Sequence, residues 1–195
     1  MTRQLILDAA RGVFLEKGYA AATMPAIAQV AGVALDTVYA TVGKKPALFR
    51  LLIETAISGN DVPVPTEERD YVRAIRAEPD AAGKLRIYAA ALRNIQSRLA
   101  PLFRVLQGAA LLDAELATLW KSISERRARN MRLFAADLAV TGRLRSDFSI
   151  DKAADVIWAM NSPELYLLLI EQRGWSGEKF QAWLGEAWIR LLLEP

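Results

Sequence analysis

Two side chains that carry much of protein chemistry are missing from this chain, which contains neither histidine nor cysteine. Without cysteine there are no disulfides, thiolate metal sites or thiol nucleophiles. Without histidine there is no imidazole base, no serine–histidine pair and no imidazole-ligated zinc or iron. An enzyme built from these residues would be left with carboxylate, lysine, tyrosine or serine–lysine chemistry. No metal and no cofactor is expected. Long apolar runs are missing as well. The greasiest stretch, Leu165 to Ile170, is cut short by Glu171, well below the roughly 18 to 20 residues that span a bilayer. The start, Met1-Thr2-Arg3-Gln4, leads directly into an amphipathic pattern, without the apolar core and small-residue cleavage site of a signal peptide. A soluble, cytoplasmic protein with no membrane partner is expected.

Strand signals are scarce too. Period-two alternation and β-branched runs are nearly absent, whereas apolar residues recur at three- and four-residue spacing throughout. The fold class is therefore all-α. The hydrophobic fraction of 53% excludes disorder, and 195 residues suffice for a small head on a larger body. The net charge of +3 does not by itself identify a nucleic-acid partner, but its placement is uneven. Residues 1 to 60 hold Arg3, Arg11, Lys17, Lys44, Lys45 and Arg50 against Asp8, Glu16, Asp36 and Glu54, so most of the excess lies there.

The spacing predicts a first helix over about 3–17, with Gly18 just past its end and Tyr19 folding back on Phe14. A second helix starts after Thr23, a third covers about 35–42, and a fourth runs from Pro46 to about Ser58. Gly59 to Pro65, with two prolines and a glycine, reads as a loop. Helices at about 68–77, 81–99, 101–111 and 113–140 follow, punctuated by Pro79, Pro101 and Gly142, and then three shorter ones. Ser162-Pro163-Glu164 and Ser176 are helix-start signals, and Gly174 is a stop. The domains expected are 1–58, a three-helix head with a connecting helix 46–58, and 66–195, a larger helical body.

Residues 23 to 45 have the build of a helix-turn-helix. Two short helices crossing at about 90 to 120 degrees need a small residue at the approach, here Ala28. They also need a left-handed turn residue, here Gly32, and apolar plugs, here Ile27, Val33 and Val38. Thr23 is a natural N-cap, and the amides beside it point where a phosphate can be held. Thr37 and Tyr39 on the presumed recognition helix are donors to phosphate oxygens. Lys44 and Lys45 stand at a helix start, where two cations oppose the dipole. They are either an anion site suited to a DNA phosphate or two solvated lysines.

This segment resembles the tetracycline-repressor (TetR) family of bacterial regulators. The residues that carry the likeness are Ile6, Ala9-Ala10, Phe14, Gly18-Tyr19, Thr23-Met24, Ile27-Ala28, Ala31-Gly32-Val33, Thr37, Tyr39, Lys45 and Leu48. The resemblance implies an obligate homodimer with a recognition helix in each of two successive major grooves of a palindromic operator. It implies a C-terminal domain that binds a small-molecule effector, repression released by that effector, and backbone contacts from Thr23, Thr37, Tyr39 and Lys45. Three positions depart from the family pattern. Ala34 stands where a capping serine is usual, at a cost of about 1 kcal/mol. Val42 stands in place of an aromatic residue and Pro46 in place of an acid.

Base reading is sparse, because Leu35 to Thr41 holds no Arg, Lys, Asn or Gln for bidentate contacts. Leu35 and Ala40 are suited to thymine methyls and Thr41 to a hydroxyl contact, and Thr2-Arg3-Gln4 can serve as a minor-groove arm. In the body, the resemblance implies an intersubunit four-helix bundle with Leu165, Leu168, Trp183, Leu184, Trp188 and Leu191 along its seam. Tyr88, Phe103, Trp120, Phe134, Trp158 and Asn161 are expected to face the middle of the bundle, as core or as ligand wall. So few convergent charges favour an apolar or aromatic effector, and the run Glu125-Arg126-Arg127-Ala128-Arg129 reads as a solvated face. The alternatives are a sequence-independent or architectural DNA-binding protein and a helical enzyme or lipid carrier.

Overall fold

The computed structural model describes residues 2–59 and 62–195. Met1, and Asn60 and Asp61 of the expected proline-rich loop, lie outside the described residues. Among the described residues ten α-helices follow one another: α1 (Thr2–Ala21), α2 (Met24–Ala31), α3 (Leu35–Val42), α4 (Lys45–Ser58), α5 (Asp70–Ala77), α6 (Ala81–Ala110), α7 (Ala114–Val140), α8 (Ile150–Met160), α9 (Pro163–Leu167) and α10 (Gly177–Leu192). A 3₁₀ turn at Thr66–Glu68 precedes α5, and a π-helical turn at Leu168–Gln172 extends α9. Among the described residues the only β pairing is one antiparallel bridge, Leu144 to Leu193. The all-α expectation holds. No single helix among them is long and apolar enough to cross a membrane.

The chain divides into two compact units, Met1–Val64 with Arg98–Ser122, and Pro65–Ser97 with Ile123–Pro195. Both α6 and α7 contribute to each. In the first unit, α1 turns Ile6, Ala10, Val13 and Phe14 inward at the three- and four-residue spacing that puts them on one face. They meet Ile27 of α2, Val38 of α3, and Leu48, Phe49 and Ile53 of α4, all fully buried. Helix α1 is broken at Gly18, whose φ of 72° and ψ of 173° a side chain resists. The break folds Tyr19 back onto Phe14, with ring centroids 5.7 Å apart and planes 8° from parallel. Phe49 closes the cluster edge-on, 4.8 Å from Phe14 and 5.2 Å from Tyr19.

Helix α6 departs from the expectation of a break at Pro101, since it runs unbroken through that residue. A proline inside a helix forfeits one backbone hydrogen bond and crowds the preceding turn. Here the flanking residues Leu99, Ala100, Leu102 and Phe103 are all buried, so packing of that face outweighs the local defect. The carbonyl of Arg98, in the turn the proline disturbs, accepts a bond from Arg11 Nη2 at 2.7 Å.

The second unit packs Tyr88, Leu92 and Ile95 of α6, Phe134 and Leu138 of α7, Ile157 of α8 and Phe180, Leu184 and Trp188 of α10 into one core. The buried ammonium of Lys84 is met by the Ile75 carbonyl at 2.7 Å and by Asp137 at 2.8 Å. Ser162 and Ser176 cap α9 and α10 as the sequence signals require, each accepting from the amide three residues on.

Helix α3 begins at Ala34, which has the extended backbone of an N-cap (φ −65°, ψ 146°) but no side chain to accept a bond. Ala34→Ser restores the acceptor and should stabilise the protein by about 1 kcal/mol in urea unfolding. No gain would mean that another group already satisfies the first-turn amides.

Candidate nucleic-acid interface

The turn between α2 and α3 sets their axes 103° apart. Gly32 makes it possible, with φ 67° and ψ 31°. A Cβ added there would meet no atom within 4 Å, so the glycine is needed for its backbone conformation and not for space. Its N–H and that of Val33 cap α2, donating to Gln29 O at 3.2 Å and Ala28 O at 3.1 Å. At the other end of α2, Thr23 accepts from Ala26 N at 3.3 Å. Its hydroxyl is an exposed cap, set beside amides that face outward.

Helix α3 buries only Val38 and Val42. Asp36, Tyr39 and Ala40, at the spacing that defines one helical face, are exposed, while Leu35, Thr37 and Thr41 are half-buried beside them. Tyr39 is 43% exposed, which agrees with placing it on the side opposite Val38. Thr41 donates its hydroxyl proton to Thr37 O at 2.6 Å, which leaves its oxygen as an acceptor.

The two lysines are not equivalent. Lys44 is the exposed N-cap of α4 and makes no capping bond. Lys45 instead folds back over the end of α1, donating to Ala20 O at 3.3 Å and standing 4.3 Å above the Tyr19 ring. Burial lowers its pKa and the Asp113 carboxylate opposes that shift. Burial also holds the Tyr19 phenol up at about 12. Lys45 is therefore not simply a solvated lysine opposing the helix dipole. The missing link was that Tyr19, once folded onto Phe14, presents a ring face to that ammonium. Thr2-Arg3-Gln4 are helical residues of α1 and not an extended arm.

The residues singled out for a ligand fall into two groups. Phe103 and Trp120 pair with each other in the first unit at 5.5 Å. Tyr88, Phe134, Trp158 and Asn161 belong to the second unit, where Asn161 Nδ2 donates to Tyr88 Oη at 2.9 Å and Tyr88 meets Phe134 edge-on at 5.1 Å. Burial pushes the Tyr88 phenol far up. The sequence reading missed Arg127 at this place. It is turned inward from the charged run and donates to Asn161 Oδ1 at 2.5 Å and Trp158 O at 3.0 Å. The signal was available in register: Arg127 shares the apolar stripe of Ile123, Met131 and Phe134.

The expected seam also divides. Leu184 and Trp188 have no exposed surface and Trp188 stacks on Tyr88 at 5.5 Å, so both are core of their own subunit, not seam residues. Trp183 and Leu191, on the other side of α10, are 37% and 45% exposed, Leu168 is 44% exposed, and Leu165 is half-buried. The broad apolar face of α10 is thus two faces with different neighbours.

Residues 6–52 match the family model of the bacterial regulatory proteins of the tetR family. No curated protein sequence matches significantly. Solved structures share the fold along almost the whole length. NalD of Pseudomonas aeruginosa, the secondary repressor of the MexAB-OprM multidrug efflux pump, is 20% identical with a TM-score of 0.75, over 99% of this chain and 96% of its own. The MbdR regulator of Azoarcus sp. CIB is 20% identical with a TM-score of 0.72, over 100% of both chains. A transcriptional regulator of Saccharomonospora viridis in complex with choline is 16% identical with a TM-score of 0.72, over 99% of this chain and 98% of its own. Residues 6–52 thus match the tetR-family model, and from end to end the chain has the fold of these solved regulators.

Proposed function

We propose that the protein is a repressor that holds a palindromic operator as a homodimer and is released by a small, largely apolar or aromatic effector. The observation that carries this reading is helix α3, which buries only Val38 and Val42 and leaves the face of Asp36, Tyr39 and Ala40 open beside the exposed Lys44. Such a face fits a major groove, with Thr23, Thr37, Tyr39, Lys44 and Lys45 on the phosphates and Leu35, Ala40 and Thr41 toward the bases. Repression and a small-molecule effector are supported by NalD, a repressor, and by the choline-bound regulator.

The mechanism is a two-state equilibrium in which only one state spaces the heads for half-sites about 34 Å apart. An effector that prefers the other state lowers operator affinity by its differential binding, about 1 to 3 kcal/mol in typical cases. Within the first unit, Arg98 of α6 donates to Ala56 O of α4 at 3.0 Å. A shift of α6 is passed to α4, and by α4 to the head it packs against.

Selection of bound genomic fragments, followed by a promoter fusion, tests the reading. Fragments should overlap promoters, carry an inverted repeat, and be silenced by the protein. Raised expression would leave a regulator but not a repressor. Lys44→Ala should flatten the salt dependence of binding by about 0.9 for each phosphate that the lysine neutralises. Lys45→Ala should do the same while also removing the cation from the Tyr19 ring. Unchanged slopes in both would remove the lysines from the interface. For the dimer, Trp183→Glu with Leu191→Glu should give monomers by light scattering. Trp188→Glu should unfold the subunit instead, because it places a charge in the core. An intact dimer after the double substitution would move the seam off this face of α10.

A further inference from the structure

Arg127 is a half-buried cation turned toward the core of the second unit, with no carboxylate of the described residues in hydrogen-bond contact with it. Both of its hydrogen bonds leave from Nη2, toward Asn161 Oδ1 and Trp158 O. The guanidinium lies 5.1 Å from the Trp158 ring centre. Its Nε and Nη1 edge is uncommitted, and Glu164, an exposed residue, acts on it only at a distance. Burial is the largest influence on the group and works against its charge. A guanidinium nonetheless keeps its proton, so an anion laid against its open edge would be favoured there over a neutral group.

Around the same asparagine stand buried polar atoms without partners. Gln96 Nε2 donates to Asn161 O at 2.6 Å, but Gln96 Oε1 accepts nothing, although the residue is only 2% exposed. Trp158 Nε1 has no acceptor, and neither does Trp188 Nε1 in a residue with no exposed surface. Trp188 is joined to the cluster through its stack on Tyr88, whose hydroxyl accepts from Asn161. Buried polar atoms without partners are rare in native interiors, and several gathered about one residue point to a molecule that completes them. The unmet needs are specific: a carboxylate for the fork edge of Arg127, an acceptor for indole N–H groups, and an O–H donor for Gln96 Oε1. The rings of Phe134 and Trp188 pack on that of Tyr88 beside Asn161, and the Trp158 ring faces the Arg127 guanidinium. Met131, whose Sδ lies 2.9 Å from Asn161 Nδ2, is an unbranched side chain that yields readily.

We propose that this cluster is the effector site and that the effector is a small aromatic carboxylate bearing a hydroxyl group. Its carboxylate lies against the Nε and Nη1 edge of Arg127 with Trp158 Nε1 as a further donor, and its hydroxyl donates to Gln96 Oε1. The inference rests on the effector-responsive reading above and narrows its ligand class. A cationic effector is disfavoured because Arg127 stands at the centre of the site.

The test is titration of tryptophan fluorescence with salicylate, 3-hydroxybenzoate and 4-hydroxybenzoate, with their primary amides and choline as comparators. At least one acid should quench saturably, and its amide should bind about tenfold or more weakly, since a hydrogen bond to a charged partner is worth that much. Arg127→Met should abolish the response and Arg127→Lys should restore part of it. Trp158→Phe should weaken it several-fold while keeping the ring, and Arg129→Met, at an exposed position of the same helix, should leave it unchanged. Thermal melts of each variant separate lost binding from lost folding. Equal binding of acid and amide, an undiminished response in folded Arg127→Met, or no saturable binding by any of the three acids would overturn the proposal. Quenching by an acid without release of a selected operator fragment would support the site and overturn the effector-responsive reading. Release by amides or choline with the acids inert would overturn the acid class and leave that reading intact.

Discussion

The turn of 103° between α2 and α3 is the constraint on which the rest of the head depends. It rests on one residue with a left-handed backbone, Gly32, and on Ile27 and Val38, both fully buried. Holding the two short helices at this angle leaves α3 with a single buried edge, Val38 and Val42, and with Asp36, Tyr39 and Ala40 exposed. Neither helix has enough turns to persist alone, so their conformation is borrowed from packing on α1 and α4. The aromatic cluster of Phe14, Tyr19 and Phe49 ties those two together. It also draws Lys45 onto Tyr19, so one contact links the fold of the head to its charge pattern.

The head was legible in the sequence because its determinants are local. A threonine at an N-cap, a glycine at a left-handed turn and valines at fixed spacing act within a few residues of where they stand. The bounds of α2 and α3 follow from them closely. The absence of a cap at Ala34 was equally visible. What local rules did not convey was the fate of Lys45, whose partners lie 25 and 26 residues earlier in the chain at Ala20 and Tyr19. That contact exists only once Gly18 has turned the chain back.

The body was less legible, for reasons that differ from place to place. At Pro101 a strong local breaker was overridden by burial on both sides of it. In α10 the apolar pattern was visible, but a stripe cannot say which of its edges meets its own subunit; the fold turns Leu184 and Trp188 inward and leaves Trp183 and Leu191 outward. Arg127 was hidden by composition, since a run of charges reads as a wet surface although the register of one member is that of the core. Phe103 and Trp120 shared the aromatic character of Tyr88 and Phe134, yet they fill another unit. Residue type alone did not separate them.

Leu35 to Thr41 holds none of the side chains that make bidentate base contacts, so an operator complex of the proposed kind would rest on methyl and hydroxyl contacts from α3 and on the spacing and shape of its half-sites. Whether that suffices is the question on which the whole account turns. Fluorescence anisotropy at one fixed salt concentration, comparing a selected operator duplex with a scrambled duplex of equal length, measures it directly. The account predicts a ratio of dissociation constants of about 10³ or more, as for specific regulators. A ratio near one would contradict it and leave a protein that binds DNA without reading it.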